Sequence, residues 1–440
     1  MDTLAWYLFL LILFGSLLAL MMLGIPVAFA FLIIVIVGAP LMWGIAPGLT
    51  QIMFSIVDNL MNFSLLPIPL FILMGEIIFH SKIAPAMIDA LDKWIGRLPG
   101  RLSLMSVGAG MLFSTLTGTS IASTAMLGGT LIPEMENRGY KKPMSIGPIL
   151  GSGGLALLIP PSGLAVLLGA IGEISIGRIL IGIIIPGVIL GLLIAGYIII
   201  RCILQPALAP PYRVEATPLS EKLRATAKYI LPVGFIIFMV IGVIYAGIAT
   251  PTEAAATGAL GCYLFALVTG RLTWEVAIKS LKGTLRVTVM ILMIVSTSDV
   301  FSQIMSYSGA VNGLVDFVLA IPADRMIILI GMQVILLMLG MFMNAQAIMM
   351  VTLPIFMPVV QVLEFNTIWF AVIYLINMEM ASMTPPFGLA LFVMKGVAPR
   401  DTTMSDIWGA AVPFLLLQAL TMAIIMIFPD TALWLVRSMR

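Results

Sequence analysis

Charge is what this sequence has least of. Of its 440 residues only 10% are Asp, Glu, Lys or Arg, and 61% are hydrophobic. Soluble globular chains carry about a quarter charged residues. The longest charge-bearing stretch without an apolar run is 205–228, too short for a soluble domain. There is one histidine, His80, and there are two cysteines, Cys202 and Cys262, each in or at the end of an apolar run. That count excludes a cysteine metal cluster and argues against a disulfide. HExxH and GxxxxGK[ST] are both absent, so neither a zinc peptidase nor a self-contained ATPase fits. Carboxylates alone remain for chemistry, and the chain reads as no enzyme.

What is present is a series of apolar runs near membrane-spanning length. Ten crossings are expected near 4–22, 24–44, 67–81, 143–170, 178–200, 229–247, 252–270, 287–304, 367–394 and 407–428. The first lacks a basic leader and a cleavage site, and a second run follows at once, so it reads as a span rather than a signal peptide. With an outside N-terminus, 18 of the 22 Lys and Arg residues fall on the cytoplasmic side, where such residues concentrate. Arg178, Arg325, Arg437 and Arg440 are the exceptions.

A long internal repeat organises these runs. The stretch 158–166, with Pro160-Pro161, matches 383–391, with Pro385-Pro386, at an offset of 225. Pro26 matches Pro251 at the same offset. Leu91, Trp94 and Pro99 match Leu314, Phe317 and Pro322 at 223, and Gly182 and Pro186 match Gly409 and Pro413 at 227. Five crossings per half turn the second repeat upside down relative to the first, the plan of many secondary transporters. The expected organisation is a first repeat at 1–204, a cytoplasmic linker at 205–228 and a second repeat at 229–440. Two amphipathic stretches, 83–98 and 310–321, read as interfacial arms.

Two further runs read as hairpins that enter and leave on one side, at about 102–135 and about 326–360. The first is interrupted by Thr115-Leu-Thr-Gly-Thr-Ser-Ile-Ala-Ser-Thr124, the second by Asn344-Ala-Gln346. Single crossings there would split Arg101 from Arg138, so the charge balance favours hairpins. Irregular backbone at membrane depth is tolerated where it lines a cavity or is buried in protein. Free N–H groups at helix ends favour anions, and free carbonyls favour sodium. The Pro-Pro breaks add further freed carbonyls, because proline has no N–H to donate. Four broken helices are therefore expected around one site. Helix packing by small residues is the plainer account of the Thr/Ser cluster, but its pairing with a second break favours a site. Four acids lie within runs: Glu76, Asp299, Glu253 and Glu379. Glu76 and Asp299 are repeat mates at offset 223 and read as ion-path or structural acids. Glu253 follows Thr250-Pro251-Thr252 and reads equally as a helix cap.

Gly24-Ile-Pro-Val-Ala-Phe, Thr117-Gly-Thr-Ser-Ile-Ala-Ser, Leu158-Ile-Pro-Pro-Ser, Thr250-Pro-Thr-Glu-Ala-Ala-Ala and Thr384-Pro-Pro-Phe-Gly-Leu together resemble the large membrane subunit of tripartite ATP-independent periplasmic (TRAP) transporters, the DctM-like family. The resemblance runs from about Leu23 to Phe428. It implies a sodium-driven, elevator-type permease of the inner membrane importing small organic acids. It also implies two partners, a small four-helix DctQ-like membrane subunit and a periplasmic DctP-like solute-binding protein. Carried over, sodium ligands would come from Gly118, Thr119, Ser120 and Pro160, and from Met343, Asn344 and Thr384. Solute would touch Ser120, Ser123, Ser162, Asn344 and Gln346. No Lys or Arg lies at either tip, so a carboxylate would be held by helix N-termini, hydroxyls and bound sodium. The alternatives are the permease of an ATP-binding cassette importer and a stand-alone ion-coupled carboxylate carrier. The first needs a cytoplasmic coupling loop, whereas Glu253-Ala-Ala falls on the outer side. A non-transporting assembly scaffold is a further possibility.

Overall fold

The computed structural model describes residues 5–95, 98–117, 120–210, 218–341, 343–386 and 388–439. Among them there are helices and no strands. The first half comprises α1 (Trp6–Met22), α2 (Val27–Trp43), α3 (Ile45–Met61), α4 (Pro67–His80), α5 (Ile83–Ile95), α6 (Arg101–Thr117) and α7 (Ser120–Asn137). It continues with α8 (Lys142–Ser145), α9 (Gly147–Gly153), α10 (Leu155–Leu158), α11 (Gly163–Ile171), α12 (Ile176–Gly182) and α13 (Ile184–Leu204). A short α14 (Leu219–Ala225) and one π turn lead into α15 (Leu231–Tyr245). Then follow α16 (Pro251–Val268), α17 (Trp274–Tyr307), α18 (Ala310–Ala320), α19 (Arg325–Gly340), α20 (Ala345–Val362), α21 (Thr367–Met383), α22 (Leu389–Val397), α23 (Met404–Ile427) and α24 (Asp430–Arg437).

The element order recurs at the spacing found in the sequence. Subtracting 224 to 226 from the starts of α16, α19, α20, α21 and α22 gives the starts of α2, α6, α7, α8 and α11 within a residue. Local chemistry recurs too. Glu76 pairs with His80 one turn on, at 3.1 Å, and Gln303 donates to Asp299 one turn back, at 3.2 Å. Both members of the second pair lie 223 residues beyond the first. A Cβ on Gly283 would meet the Glu76 carboxylate, and Asn59 donates to Asp299 at 3.1 Å. These are one contact seen twice, since 59 and 283 are also repeat-related. As the chain advances from Asn59 to Glu76, its partners on α17 retreat from Asp299 to Gly283. The segment α3–α4 therefore runs antiparallel to its own repeat mate, α17, as inverted halves require.

The helices pack as two layers, each using both halves. One layer contains α1–α4 with α15–α17: α4 lies on α16 and α17, α2 on α3 and α17, and α15 on α16. The other contains α6–α13 with α19–α24: α9 lies on α23, α7 on α22, and α21 on α10, α11 and α12. Small residues make these approaches, as expected where lipid offers no hydrophobic drive and close van der Waals packing must hold helices together. A Cβ on Gly147 or Gly151 would run into Phe414, and one on Gly182 would press Ile368 and Val372. Gly147 also meets the Ala410 carbonyl, and the pair 147–410 is close to the repeat mate of 372–182. The layers meet where α4 touches α6 and α11, and where α17 touches α20.

Several sequence expectations are corrected here. Six helices are at least 18 residues long and apolar enough to cross alone, or seven with the bent pair Lys142–Leu158 and Gly163–Ile171. The other expected crossings coincide with α1, α2 and α21, each 17 residues long, and with α16, which has 18 residues but opens on polar ones. One of the six, α20, is the outgoing arm of the second hairpin. No crossing is assigned to 45–66 from the sequence, and the region carries α3. Its polar face, with Gln51, Ser55 and Asn59, hides it from an apolar count; Gln51 and Ser55 bond Gln303 at 2.8 and 3.0 Å. The span expected at 287–304 begins at Trp274, capped by Thr273, and absorbs the basic stretch read as a loop. The linker is partly helical and lies along the first arm, with Lys93 paired to Glu221 and Trp94 bonded to Thr226 at 2.6 Å. Helices α5 and α18 coincide with the two amphipathic stretches.

Candidate functional site

Both hairpins are present: α6 and α7 flank the first tip, α19 and α20 the second. Both crossing helices are broken where expected, between Leu158 and Gly163 and between Met383 and Leu389, and each break carries a cis Pro-Pro bond. Pro160 and Pro161 bring no N–H, so the helical donors for the carbonyls of Ala156 and Leu157 are missing. In the second break the Thr384 hydroxyl donates to the Met380 carbonyl at 2.7 Å, and the Gly388 N–H donates to the Thr384 carbonyl at 3.0 Å.

Each hairpin is gripped by both halves. Its incoming arm packs on the pre-break helix of its own half, α6 on α10 and α19 on α21. Its outgoing arm packs on the post-break helix of the other half, α7 on α22 and α20 on α11. The crosswise half of this arrangement is not visible in the sequence, because no motif spans the two repeats.

Side chains at these points prepare helix N-termini. Asn344 caps α20, its Oδ1 accepting the Ala347 N–H at 2.8 Å, which leaves its amide N–H groups directed elsewhere on an exposed residue. Ser162 caps α11 by accepting the Ala165 N–H at 3.4 Å, and it is fully buried. Gly163 next to it faces open space. Ser123 and Thr124, in the first turn of α7, are buried with hydroxyls lacking a partner among the described residues. Buried hydroxyls are nearly always bonded, so an orphan pair beside a helix N-terminus asks for a ligand or water. Met343 is buried, Pro160 is buried and Gln346 is half-buried. Gly118 and Thr119 lie outside the described residues, and so does the Ser120 side chain, although its backbone opens α7. Among the described residues no group of three or more His, Cys, Asp or Glu side chains is placed to hold a metal.

The four acids separate. Glu253 completes a capping box with Thr250, accepting its backbone N–H at 2.8 Å, and belongs to the start of α16. Asp299 belongs to the polar seam between α3 and α17, and Glu76 to its repeat copy, both inside the first layer. Glu379 alone lies in the layer of the hairpins, buried on α21 one turn before Met383. Sequence reasoning missed Gln418, which is fully buried on α23, reaches the Met383 sulfur at 3.6 Å and abuts Gly154. It also missed Gln333 and Asn377, which join α19 to α21 at 2.9 Å. A glutamine or asparagine in a membrane helix is the signal that finds them.

Two cavities open along the seam between the layers, at opposite ends of α4. One, of about 1140 Å³, is lined by Pro67 and Leu70, the turn Glu173–Ile176 and the cap Thr250–Glu253. The other, of about 700 Å³, is lined by His80, Lys82, Arg271, Glu275 and Lys279, with Met126 of α7.

Two packed helical layers, two hairpins and two broken crossing helices make up an all-helical inverted-repeat fold. The solved structure of the YdaH transporter of Alcanivorax borkumensis shares it, with a TM-score of 0.59 over 89% of this chain and 90% of that one, at 15% identity. The chain belongs to the DctM component family of tripartite ATP-independent periplasmic transporters, whose model matches residues 14–431. It is 28% identical over 436 residues to the C4-dicarboxylate TRAP transporter large permease protein DctM of Rhodobacter capsulatus, covering 96% of this chain and 98% of that protein. It is 30% identical over 408 residues to the DctM of Pseudomonas aeruginosa, covering 89% and 92%. The chain is therefore a TRAP large permease subunit and not an enzyme.

Proposed function

We propose that this permease imports a small organic acid across the inner membrane, driven by a sodium gradient. A small DctQ-like membrane subunit and a periplasmic DctP-like binding protein complete the system. The observation that carries the reading is the convergence of two hairpins and two Pro-Pro breaks in one layer. Capped helix N-termini there supply N–H groups for an anion, and proline-freed carbonyls supply oxygens for sodium. The hard monovalent ion would sit among Gly118, Thr119, Ser120 and Pro160, and among Met343, Asn344 and Thr384. The solute would lie between the tips, against Ser120, Ser123, Ser162, Asn344 and Gln346. The absence of Lys and Arg from both tips leaves N–H groups, hydroxyls and sodium itself to neutralise a carboxylate.

The second layer is then the moving body and the first the fixed one. The chain divides as 1–204, 205–228 and 229–440, with the N-terminus outside. Helices α5 and α18 are the arms joining the layers. Reconstitution in vesicles with both partners tests the reading. Uptake should require an inward sodium gradient and the loaded binding protein. Uptake supported by ATP without sodium would favour an importer of another class, and uptake by this chain alone would favour a stand-alone carrier.

A further inference from the structure

The cavity beside His80 is unlike its counterpart at the other end of α4. Its lining brings three cations, Lys82, Arg271 and Lys279, against one carboxylate, Glu275, which is paired to Lys279 at 2.6 Å. His80 is engaged by Glu76. The opposite cavity has Glu173 and Glu253 in its lining and neither Lys nor Arg. The basic cavity is also built rather than merely basic. Arg271 donates to the carbonyl of Lys82, which takes a left-handed backbone with φ 55° just past the end of α4. Arg271 also lies over the Tyr229 ring at 5.6 Å, with Lys228 over the same ring at 5.2 Å. The first turn of α17, a helix of 34 residues, lines the cavity at Glu275 and Val276 and adds its N-terminal partial charge. The far wall is Met126, on the outgoing arm of the first hairpin.

We propose that this cavity is an oxyanion site, taking a carboxylate or phosphate group at the basic face of the seam between the layers. It lies between the fixed layer and a hairpin arm, so the carboxylate of a departing solute is its natural ligand. That assignment rests on the uptake reading, whereas the oxyanion site itself does not. Two uncompensated positive charges within about 7 Å of a bound anion, even at the dielectric of water, favour it roughly tenfold over a neutral molecule.

The test uses the full chain in nanodiscs, with Val276→Cys as a reporter in the cavity lining. Cys202 and Cys262 are buried and stay silent. Modification rates by an anionic and a cationic methanethiosulfonate reagent are each normalised to a free thiol. The anionic reagent should be favoured at least tenfold. The ratio should fall towards one in Lys82→Gln/Lys279→Gln and persist in Lys82→Arg/Lys279→Arg. Succinate and inorganic phosphate should slow modification in purely zwitterionic lipid if the ligand is a free solute. Slowing only on addition of phosphatidylglycerol assigns the site to a lipid headgroup. A ratio unchanged by the double glutamine variant, or no protection by any of these oxyanions, overturns the proposal. Failure of sodium-driven uptake would instead overturn the transport reading and leave these rates untouched.

Discussion

Replacing Asn344 by aspartate separates two roles that an alanine would remove together. The Oδ1 of Asn344 accepts the Ala347 N–H at 2.8 Å and caps α20. Aspartate is an equally good cap and adds a favourable charge at a helix N-terminus. Alanine loses the cap and costs about 1 kcal/mol of stability. The amide N–H groups are the part available to a carboxylate solute, and aspartate exchanges them for a negative charge. Two like charges about 4 Å apart repel by about 4 kcal/mol at an effective dielectric of 20. That corresponds to roughly a thousandfold weaker retention of the anion. Asn344→Asp should thus match the wild type in thermal stability within about 1 kcal/mol and lose sodium-driven uptake by at least about a hundredfold. Asn344→Ser, which caps but carries no charge, should fall between. Uptake measured in vesicles with both partners, beside a melting curve of the same sample, checks this. An Asn344→Asp variant that transports a dicarboxylate like the wild type would refute the placement of the solute at this tip.

Other substitutions probe the remaining assignments. Asp299→Asn keeps an acceptor for Asn59 and Gln303, and interhelical hydrogen bonds in membranes average about 0.6 kcal/mol. Its uptake should stay within about twofold of wild type by that figure, and an altered sodium dependence would instead put Asp299 on the ion path. Gly151→Ala should cost about 1–3 kcal/mol by overpacking against the Cδ1 and Cγ of Phe414, and Phe414→Ala, which removes both atoms, should make the double variant's loss in melting temperature clearly less than additive. Glu253→Ala should lose about 1 kcal/mol from the α16 cap with uptake retained, and loss of uptake in folded protein would contradict a purely structural role. Ser123→Ala combined with Thr124→Ala leaves the backbone N–H groups of α7 in place, so it should lower sodium-driven uptake without lowering stability. Unchanged uptake there would leave the buried hydroxyls without a ligand role.

Much of this organisation is legible in the sequence because proline and charge act locally. Pro160-Pro161 and Pro385-Pro386 break helices wherever they fall, and both breaks are found. The charge balance around Arg101 and Arg138 favours a hairpin, and α6 and α7 pack against each other as one. The repeat could be read from a few spaced residues, and Glu76–His80 with Asp299–Gln303 shows it surviving in side-chain contacts. Lengths were less legible. A basic stretch such as Lys279 to Arg286 lowers apolarity without ending a helix, so α17 runs through it. Helix α3 was hidden because its polar residues turn inward to a partner 240 residues away. The crosswise grip on the hairpins depends on packing between halves, which no single segment encodes. Gly118 and Thr119, central to the sequence reading, lie outside the described residues.

The central claim is that α6–α13 and α19–α24 move as one body, carrying the site past α1–α4 and α15–α17. Distances between paired spin labels on exposed positions test it directly in the assembled complex. Leu285 with Leu416 reports between the layers, Leu260 with Leu285 within the first, and Ile200 with Leu416 within the second; all four side chains are exposed. Adding sodium and solute should shift the distribution between the layers while both distributions within the layers stay fixed. A constant distance between the layers, or changes confined to one layer during active uptake, would contradict the account.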